Sequence, residues 1–216
     1  MSYILVKKKI KPYNKKIIIE GDKSLSIRWA LLASQSFAKC RSSNLLLSED
    51  VINTLNCLKK LGVKIKLTKN FCEIVGVGLN GFKYKKKLLL DAGNSGTLGR
   101  LIMGLLVHSK NDIKLIGDKS LSKRDFFRVS RPLEKFGAKY FTKYGKLPII
   151  IKGTNNPHPI TYHETRGSAQ CKSAVMLAAL NTKGETIIKA KKSRDHTELM
   201  FKHLALPIKI FKKKKL

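Results

Sequence analysis

SGTLGRLIMGLLVHS, residues 95–109, opens on small residues and then runs almost wholly apolar for the length of a helix. A helix that is apolar on every side has to be buried among other elements. Two more segments share this character, SIRWALLASQSF at 26–37 and SAQCKSAVMLAAL at 168–180. Each is followed by a short strand: SSNLLL at 42–47, DIKLIG at 112–117 and ETIIKA at 185–190. A second helix comes next and ends in a related phrase each time, LKKLGVKIKL (58–67), LEKFGAKYF (133–141) and FKHLALPIKIF (201–211). The hexapeptide GDKSLS also occurs twice, at 21–26 and 117–122, as internal repetition predicts.

The order apolar helix, strand, amphipathic helix, strand thus runs three times, in units near 21–85, 86–156 and 157–216. In the first amphipathic helix Val51, Leu55, Leu58 and Leu61 recur every three or four residues and face a core, while Asn53, Asn56, Lys59 and Lys60 face water. Ser48 before Glu49 and Asp50 reads as a cap, and Asp195 with Glu198 reads as a capping box. Gly62 and Gly137 stop the first two helices, and Leu206-Pro207 stops the third. FCEIVGVG (71–78) and PIIIKG (148–153) close hairpins in the first two units, and LLLDAG (88–93) and PITY (159–162) then lead onward. The third unit lacks this hairpin, because KKKKL follows IKIF. An open strand edge invites aggregation, so the third repeat is expected to be a truncated one. The fold class is α/β (α+β): one domain of three βαβαββ-like repeats, the third incomplete, with helices packed together and sheets outside.

The chain holds 45 Lys and Arg against 14 Asp and Glu, a formal charge of +31. Such a field attracts anions of any kind. The lysines are spread along the chain, and the clusters Lys7–Lys9, Lys85–Lys87 and Lys212–Lys215 lack interleaved aromatics, so no specific nucleic-acid partner is expected. The four cysteines, at 40, 57, 72 and 171, form no CxxC pair and read as reduced core thiols. No apolar run reaches the roughly 18 residues of a membrane span, and no signal peptide opens the chain, which implies a cytoplasmic protein.

The polar residues that stand out lie where the apolar helices begin. In GDKSLSIR the helix start offers free N–H groups, and Lys23, Ser24 and Arg28 add donors suited to a phosphate. Arg28 lies one turn beyond Ser24, so both reach the same anion. DAGNSGT (91–97) is a second glycine-rich strand-to-helix turn, with Asn94 and Thr97 around Gly96. GSAQ (167–170) repeats the device with Ser168 and Gln170.

GDKSLSIRWALLA, DAGNSGTLGRLIMGLL, GDKSLSKRDFFRV, PITYHETRGSAQCKSAVMLAALNT and SRDHTELM together resemble the amino-terminal half of the EPSP synthase (3-phosphoshikimate 1-carboxyvinyltransferase) family. The resemblance implies an inside-out α/β barrel of repeats, in a protein of two such domains with a cleft between them. It implies transfer of the enolpyruvyl group of phosphoenolpyruvate to the 5-hydroxyl of shikimate 3-phosphate, with loss of phosphate and with no metal or cofactor. Lys23, Ser24, Arg28, Ser168, Ala169, Gln170 and Arg194 stand at positions that hold shikimate 3-phosphate in that family. Lys23, Gly96, Arg124 and Gln170 stand at positions that hold phosphoenolpyruvate. The resemblance makes Lys23 and Arg124 the expected catalytic pair, a candidate proton shuttle and a group that would neutralise developing charge. The glycine at 96 resembles that of members which accept the inhibitor glyphosate.

There are three departures from the family pattern. Asp125 replaces a proline after Arg124, and its carboxylate either competes for Arg124 or caps a turn. Ala169 replaces a serine. The second half of the family's length, which brings an aspartate and a glutamate for general acid and base work, is absent, so a complementing carboxy-terminal half is an implied partner. Residues 1–20 resemble a strand that crosses into that other domain, leaving 21–216 as the three-repeat domain. A related family, the UDP-N-acetylglucosamine enolpyruvyl transferases, places a cysteine where this chain reads SLSKRD. The competing reading is a non-catalytic domain, or a remnant, that binds a phosphorylated metabolite.

Overall fold

A computed structural model describes residues 3–5, 7–9, 11–17 and 19–211. The first unit runs α1 (Lys23–Ser34), β1 (Lys39–Ser42), α2 (Glu49–Lys60), β2 (Lys64–Leu67) and β3 (Cys72–Val75). The second runs β4 (Leu88–Asp91), α3 (Gly96–Leu105) with a 3-10 turn at Leu106–His108, β5 (Ile113–Ile116), α4 (Lys119–Ser122), α5 (Phe127–Glu134), β6 (Lys139–Thr142) and β7 (Ile149–Lys152). The third runs β8 (Thr161–Glu164), α6 (Ala169–Leu180), β9 (Ile187–Ala190) and α7 (His196–His203).

The helices pack inside and the sheets lie outside, as the apolar segments require. Every residue of α3 is buried, and α3 packs against α6, α5, α1 and α2. A Cβ on Gly104 would fall 2.1 Å from the carbonyl oxygen of Ala174, so α3 and α6 meet backbone to backbone. Small residues on both sides allow that approach, and Ile27, Leu31, Leu98, Leu101 and Ile102 fill the space around it with no exposure. Each such side chain stabilises the fold by roughly 1.5–3 kcal/mol.

The three sheets have related orders, β1-β3-β2, β4-β5-β7-β6 and β8-β9. β4 pairs parallel with β5 as β8 does with β9, while β5-β7-β6 and β1-β3-β2 are antiparallel. Along β7, Ile149 and Ile151 point inward while Ile150 and Lys152 point outward, the alternation of a sheet with one wet face. Among the described residues the first sheet has no strand equivalent to β4. The third has no strand beyond β9, so the terminal strand expected within 201–211 is absent there. Its ladder partner, the equivalent of β7, is also absent among the described residues. Large apolar side chains of the leading segment, Ile4, Tyr13, Ile17 and Ile19, are 66–95% exposed.

Helix endings follow the sequence reading. Gly62 and Gly137 have φ of 89° and 103°, the left-handed stop that glycine allows. In the third unit Ala205, with φ 51°, takes that role, and the Leu206 N–H closes onto the Phe201 carbonyl at 2.9 Å. The capping box does not form. Asp195 sits at the α7 N-cap without a side-chain bond, and Glu198 instead turns inward to pair with Lys172. The first strand also lies earlier than the apolar run at 42–47 suggests. The Cys40↔Ile74 register sets it, and the Leu46 N–H is committed to the Ser26 hydroxyl at 3.1 Å. Cys57, Cys72 and Cys171 are buried free thiols, and burial pushes Cys57 up to about 12.

Candidate functional site

The amino ends of α1, α3 and α6 meet on one side of the domain. Gln170, in the first turn of α6, donates to the Thr97 hydroxyl in the first turn of α3 at 3.1 Å. Arg28, in the second turn of α1, donates to Ser173 of α6 at 3.3 Å. Lys23, at the first position of α1, pairs at 3.0 Å with Asp50 in the first turn of α2. Asn53 of α2 in turn abuts Gly93, where an added Cβ would fall 2.2 Å from its amide nitrogen. Three helix dipoles therefore present their positive ends together.

Each start is built by its own cap. Asp22 accepts the Leu25 N–H at 2.7 Å, Ser95 the Leu98 N–H at 3.2 Å, and Ser168 the Cys171 N–H at 3.3 Å. The α1 start thus already carries a carboxylate, which the glycine-led reading of GDKS overlooked. The Ser168 oxygen caps the helix as an acceptor, and its hydroxyl proton remains able to donate. Glu164, 3% exposed, folds the turn into α6 by accepting the N–H groups of Arg166 at 3.1 Å and Ser168 at 2.8 Å.

Around Gly96 two guanidinium groups converge. A Cβ there would lie 2.9 Å from Nη1 of Arg124 and 3.0 Å from Nη1 of Arg100. Arg124 is steered by Asn94, whose Oδ1 accepts from it at 3.3 Å while its Nδ2 donates to Asp118. Hydrogen bonds from the Leu121 amide and from Asn94 hold the Asp118 carboxyl below the usual range. Arg100 donates to Oε1 of Gln170 at 2.6 Å and is 6% exposed. Burial first, and then the Arg128 and Arg124 cations, pull Arg100 down to about 10. Asp125 does not compete for Arg124. Its carboxylate accepts the Phe127 N–H at 2.8 Å and faces Arg166 at 3.7 Å, so it caps the turn into α5.

Arg28 is 5% exposed, and burial followed by the Arg194 cation lowers its pKa. Arg194 itself is exposed on the loop before α7. The expected residues Lys23, Ser24, Arg28, Gly96, Arg124, Ser168, Ala169, Gln170 and Arg194 all fall on these helix starts or the loops beside them. Arg100, Asp118, Glu164 and Thr197 were not anticipated. Arg100 carried a signal, because an arginine four residues past Gly96 in an apolar helix repeats the offset of Arg28 from Ser24. Among the described residues no group of three or more His, Cys, Asp or Glu is placed to hold a metal, and no helix is long and apolar enough to cross a membrane.

A crowd of cations at helix starts, with Asp22, Asp118 and Glu164 tied to backbone amides and Asp50 paired with Lys23, is an arrangement for small anions. The family model for EPSP synthase (3-phosphoshikimate 1-carboxyvinyltransferase) matches residues 7–215. A 3-phosphoshikimate 1-carboxyvinyltransferase from Ruthia magnifica is 46% identical over 197 residues, covering 91% of this chain and 45% of that protein. One from Leuconostoc mesenteroides is 41% identical over 195 residues, covering 89% and 45%. A solved structure of EPSP synthase from Acinetobacter baumannii superposes with a TM-score of 0.85 at 35% identity, covering 91% of this chain and 45% of that one. The chain spans about half the length of the curated relatives it matches.

Proposed function

Because this chain belongs to the EPSP synthase family, we propose that it supplies the phosphoshikimate-binding half of a 3-phosphoshikimate 1-carboxyvinyltransferase. In this reading Lys23, Ser24, Arg28, Ser168, Ala169, Gln170 and Arg194 hold shikimate 3-phosphate. Lys23, Gly96, Arg124 and Gln170 hold phosphoenolpyruvate, and Arg100 joins them. The observation that carries the reading is the cradle at Gly96, where an added Cβ would fall 2.9 Å from Nη1 of Arg124 and 3.0 Å from Nη1 of Arg100.

The 5-hydroxyl of shikimate 3-phosphate adds to C2 of phosphoenolpyruvate, its proton leaves, and a proton joins C3 to make a tetrahedral intermediate. Loss of a C3 proton and cleavage of the C2–O bond to phosphate then give the enolpyruvyl ether and inorganic phosphate. Arg124 and Arg100 offset the anionic charge through both steps, and Lys23 relays a proton. The remaining length of the relatives would bring the other acid and base groups. Residues 21–85, 86–156 and 157–216 are the three repeats of this half, and residues 1–20 belong to the other domain. The exposed Ile4, Ile17 and Ile19 support that assignment.

Phosphate release from the two substrates tests the reading, measured with this chain alone and with a polypeptide supplying the other half. Turnover is expected only with both. No turnover with both present, in a complex shown to form, overturns the enzyme reading and leaves a binding module.

A further inference from the structure

Thr197 was singled out by nothing in the sequence, yet it is 1% exposed and sits against the guanidinium of Arg28. Nε of Arg28 donates to Thr197 Oγ1 at 2.8 Å, Nη2 to Ser173 Oγ at 3.3 Å, and Nη1 to the Ser24 carbonyl at 3.0 Å. The two hydroxyl oxygens lie 2.7 Å apart, and Ser173 Oγ also lies 2.7 Å from the Ala169 carbonyl.

The protons can be assigned. A carbonyl only accepts, so the Ser173 hydroxyl donates to Ala169. The bond between the hydroxyls must then run from Thr197 to Ser173. Ser173 accepts from Thr197 and from Arg28, and Thr197 accepts from Arg28, so the chain Arg28, Thr197, Ser173, Ala169 runs in one direction. Of the five N–H groups of Arg28, three are used from within. One remains on each terminal nitrogen, the pair that a carboxylate or phosphate accepts in two-pronged fashion.

The same threonine ties distant parts of the molecule together. Arg28 belongs to the first repeat, while Thr197 is the second residue of α7 in the third, three residues past Arg194. Beside this link Glu198 pairs with Lys172, so neighbouring residues of α6 and α7 are tied twice. The Thr197 hydroxyl therefore contributes both to the docking of α7 and to the orientation of Arg28.

We propose that Thr197 is the positioning residue of the phosphoshikimate site. Its hydroxyl fixes the Arg28 guanidinium and sets Arg28 and Arg194 in register across the first and third repeats. The proposal rests on the function proposed above and deepens it.

The test uses the full 216-residue chain as wild type, Thr197→Val and Thr197→Ser. Shikimate 3-phosphate affinity is measured by calorimetry, and the Nε–H resonance of Arg28, assigned by its loss in Arg28→Lys, is followed by 15N NMR. Valine keeps the shape and removes the acceptor. It is expected to weaken binding about ten- to hundredfold, the range for a hydrogen bond to a charged group, and to expose the Arg28 resonance to solvent exchange. Serine is expected to restore both. Wild-type affinity with a protected resonance in Thr197→Val overturns the proposal. So does a loss of affinity that serine fails to restore while the thermal midpoints of both variants fall together. If the wild type itself does not bind shikimate 3-phosphate, the proposed function fails. The resonance alone then decides the positioning role, upheld if valine exposes it and serine protects it, and overturned if valine leaves it protected.

Discussion

Arg100 donates to Gln170 at 2.6 Å, and through that bond the second repeat reaches the third at the point where the anion would sit. The guanidinium is costly to keep there, since burial and two neighbouring arginines draw it down to about 10. A bound anion offsets that cost. Phosphoenolpyruvate, added with shikimate 3-phosphate at about a hundred times its dissociation constant, should stabilise the wild type by about 2.7 kcal/mol through mass action. In Arg100→Gln most of this shift should vanish at the same concentration. Thermal unfolding with and without ligand checks it, and an equal shift in both proteins removes Arg100 from the site.

Gly96→Ala should act on the same cradle without disturbing the fold. The added Cβ meets the ends of two flexible arginines at 2.9 and 3.0 Å, and alanine suits a helix better than glycine by up to about 1 kcal/mol. Stability should hold, shikimate 3-phosphate affinity should hold, and phosphoenolpyruvate affinity should fall about tenfold, the equivalent of roughly 1.4 kcal/mol of crowding. Glyphosate binding should fall with it. Calorimetry with each ligand separates these effects.

The helix core gives a harsher outcome. At Gly104 the same substitution places a methyl group 2.1 Å from the Ala174 carbonyl, which is backbone and cannot swing aside. Gly104→Ala should destabilise the chain by about 1–3 kcal/mol or more through overpacking, as read from urea unfolding. A neutral result would mean that α3 and α6 do not meet backbone to backbone.

Lys172 and Glu198 are nearly buried, with side-chain exposures of 10% and 13%. Removing one partner leaves a charge unpaired and should cost roughly 3–5 kcal/mol, while the double change Lys172→Met with Glu198→Leu should cost much less. Denaturant unfolding of the two single variants and the double variant gives the comparison.

What the sequence could reveal follows the range of each interaction. The placement of Lys23 and Arg28 in the first two turns of α1 was legible because the apolar run that makes the helix and the start that precedes it are both local. The stops at Gly62 and Gly137 were legible because backbone conformation is local. The Asp22 cap was local too, with its twin Asp118 in the second GDKSLS, but a reading led by the glycine before it passed over both. Glu198 was misread for the opposite reason. Its spacing from Asp195 fits a capping box, but its partner Lys172 lies on another helix. The bond from Arg28 to Thr197 spans 169 residues, and no local pattern announces it. The LLL run before α2 looked like a strand because apolar triplets suit both a strand and a packed loop, and pairing between β1 and β3 decided between them.

Everything proposed for this chain requires that it grip shikimate 3-phosphate at the joined starts of α1 and α6. Calorimetric titration of that ligand into the wild-type chain, Lys23→Met and Arg28→Met tests it most directly. Saturable single-site binding by the wild type is expected, weakened at least about tenfold by either substitution, as when a hydrogen bond to a charged group is lost. Absence of saturable binding by the wild type, or binding that neither substitution changes, would contradict it.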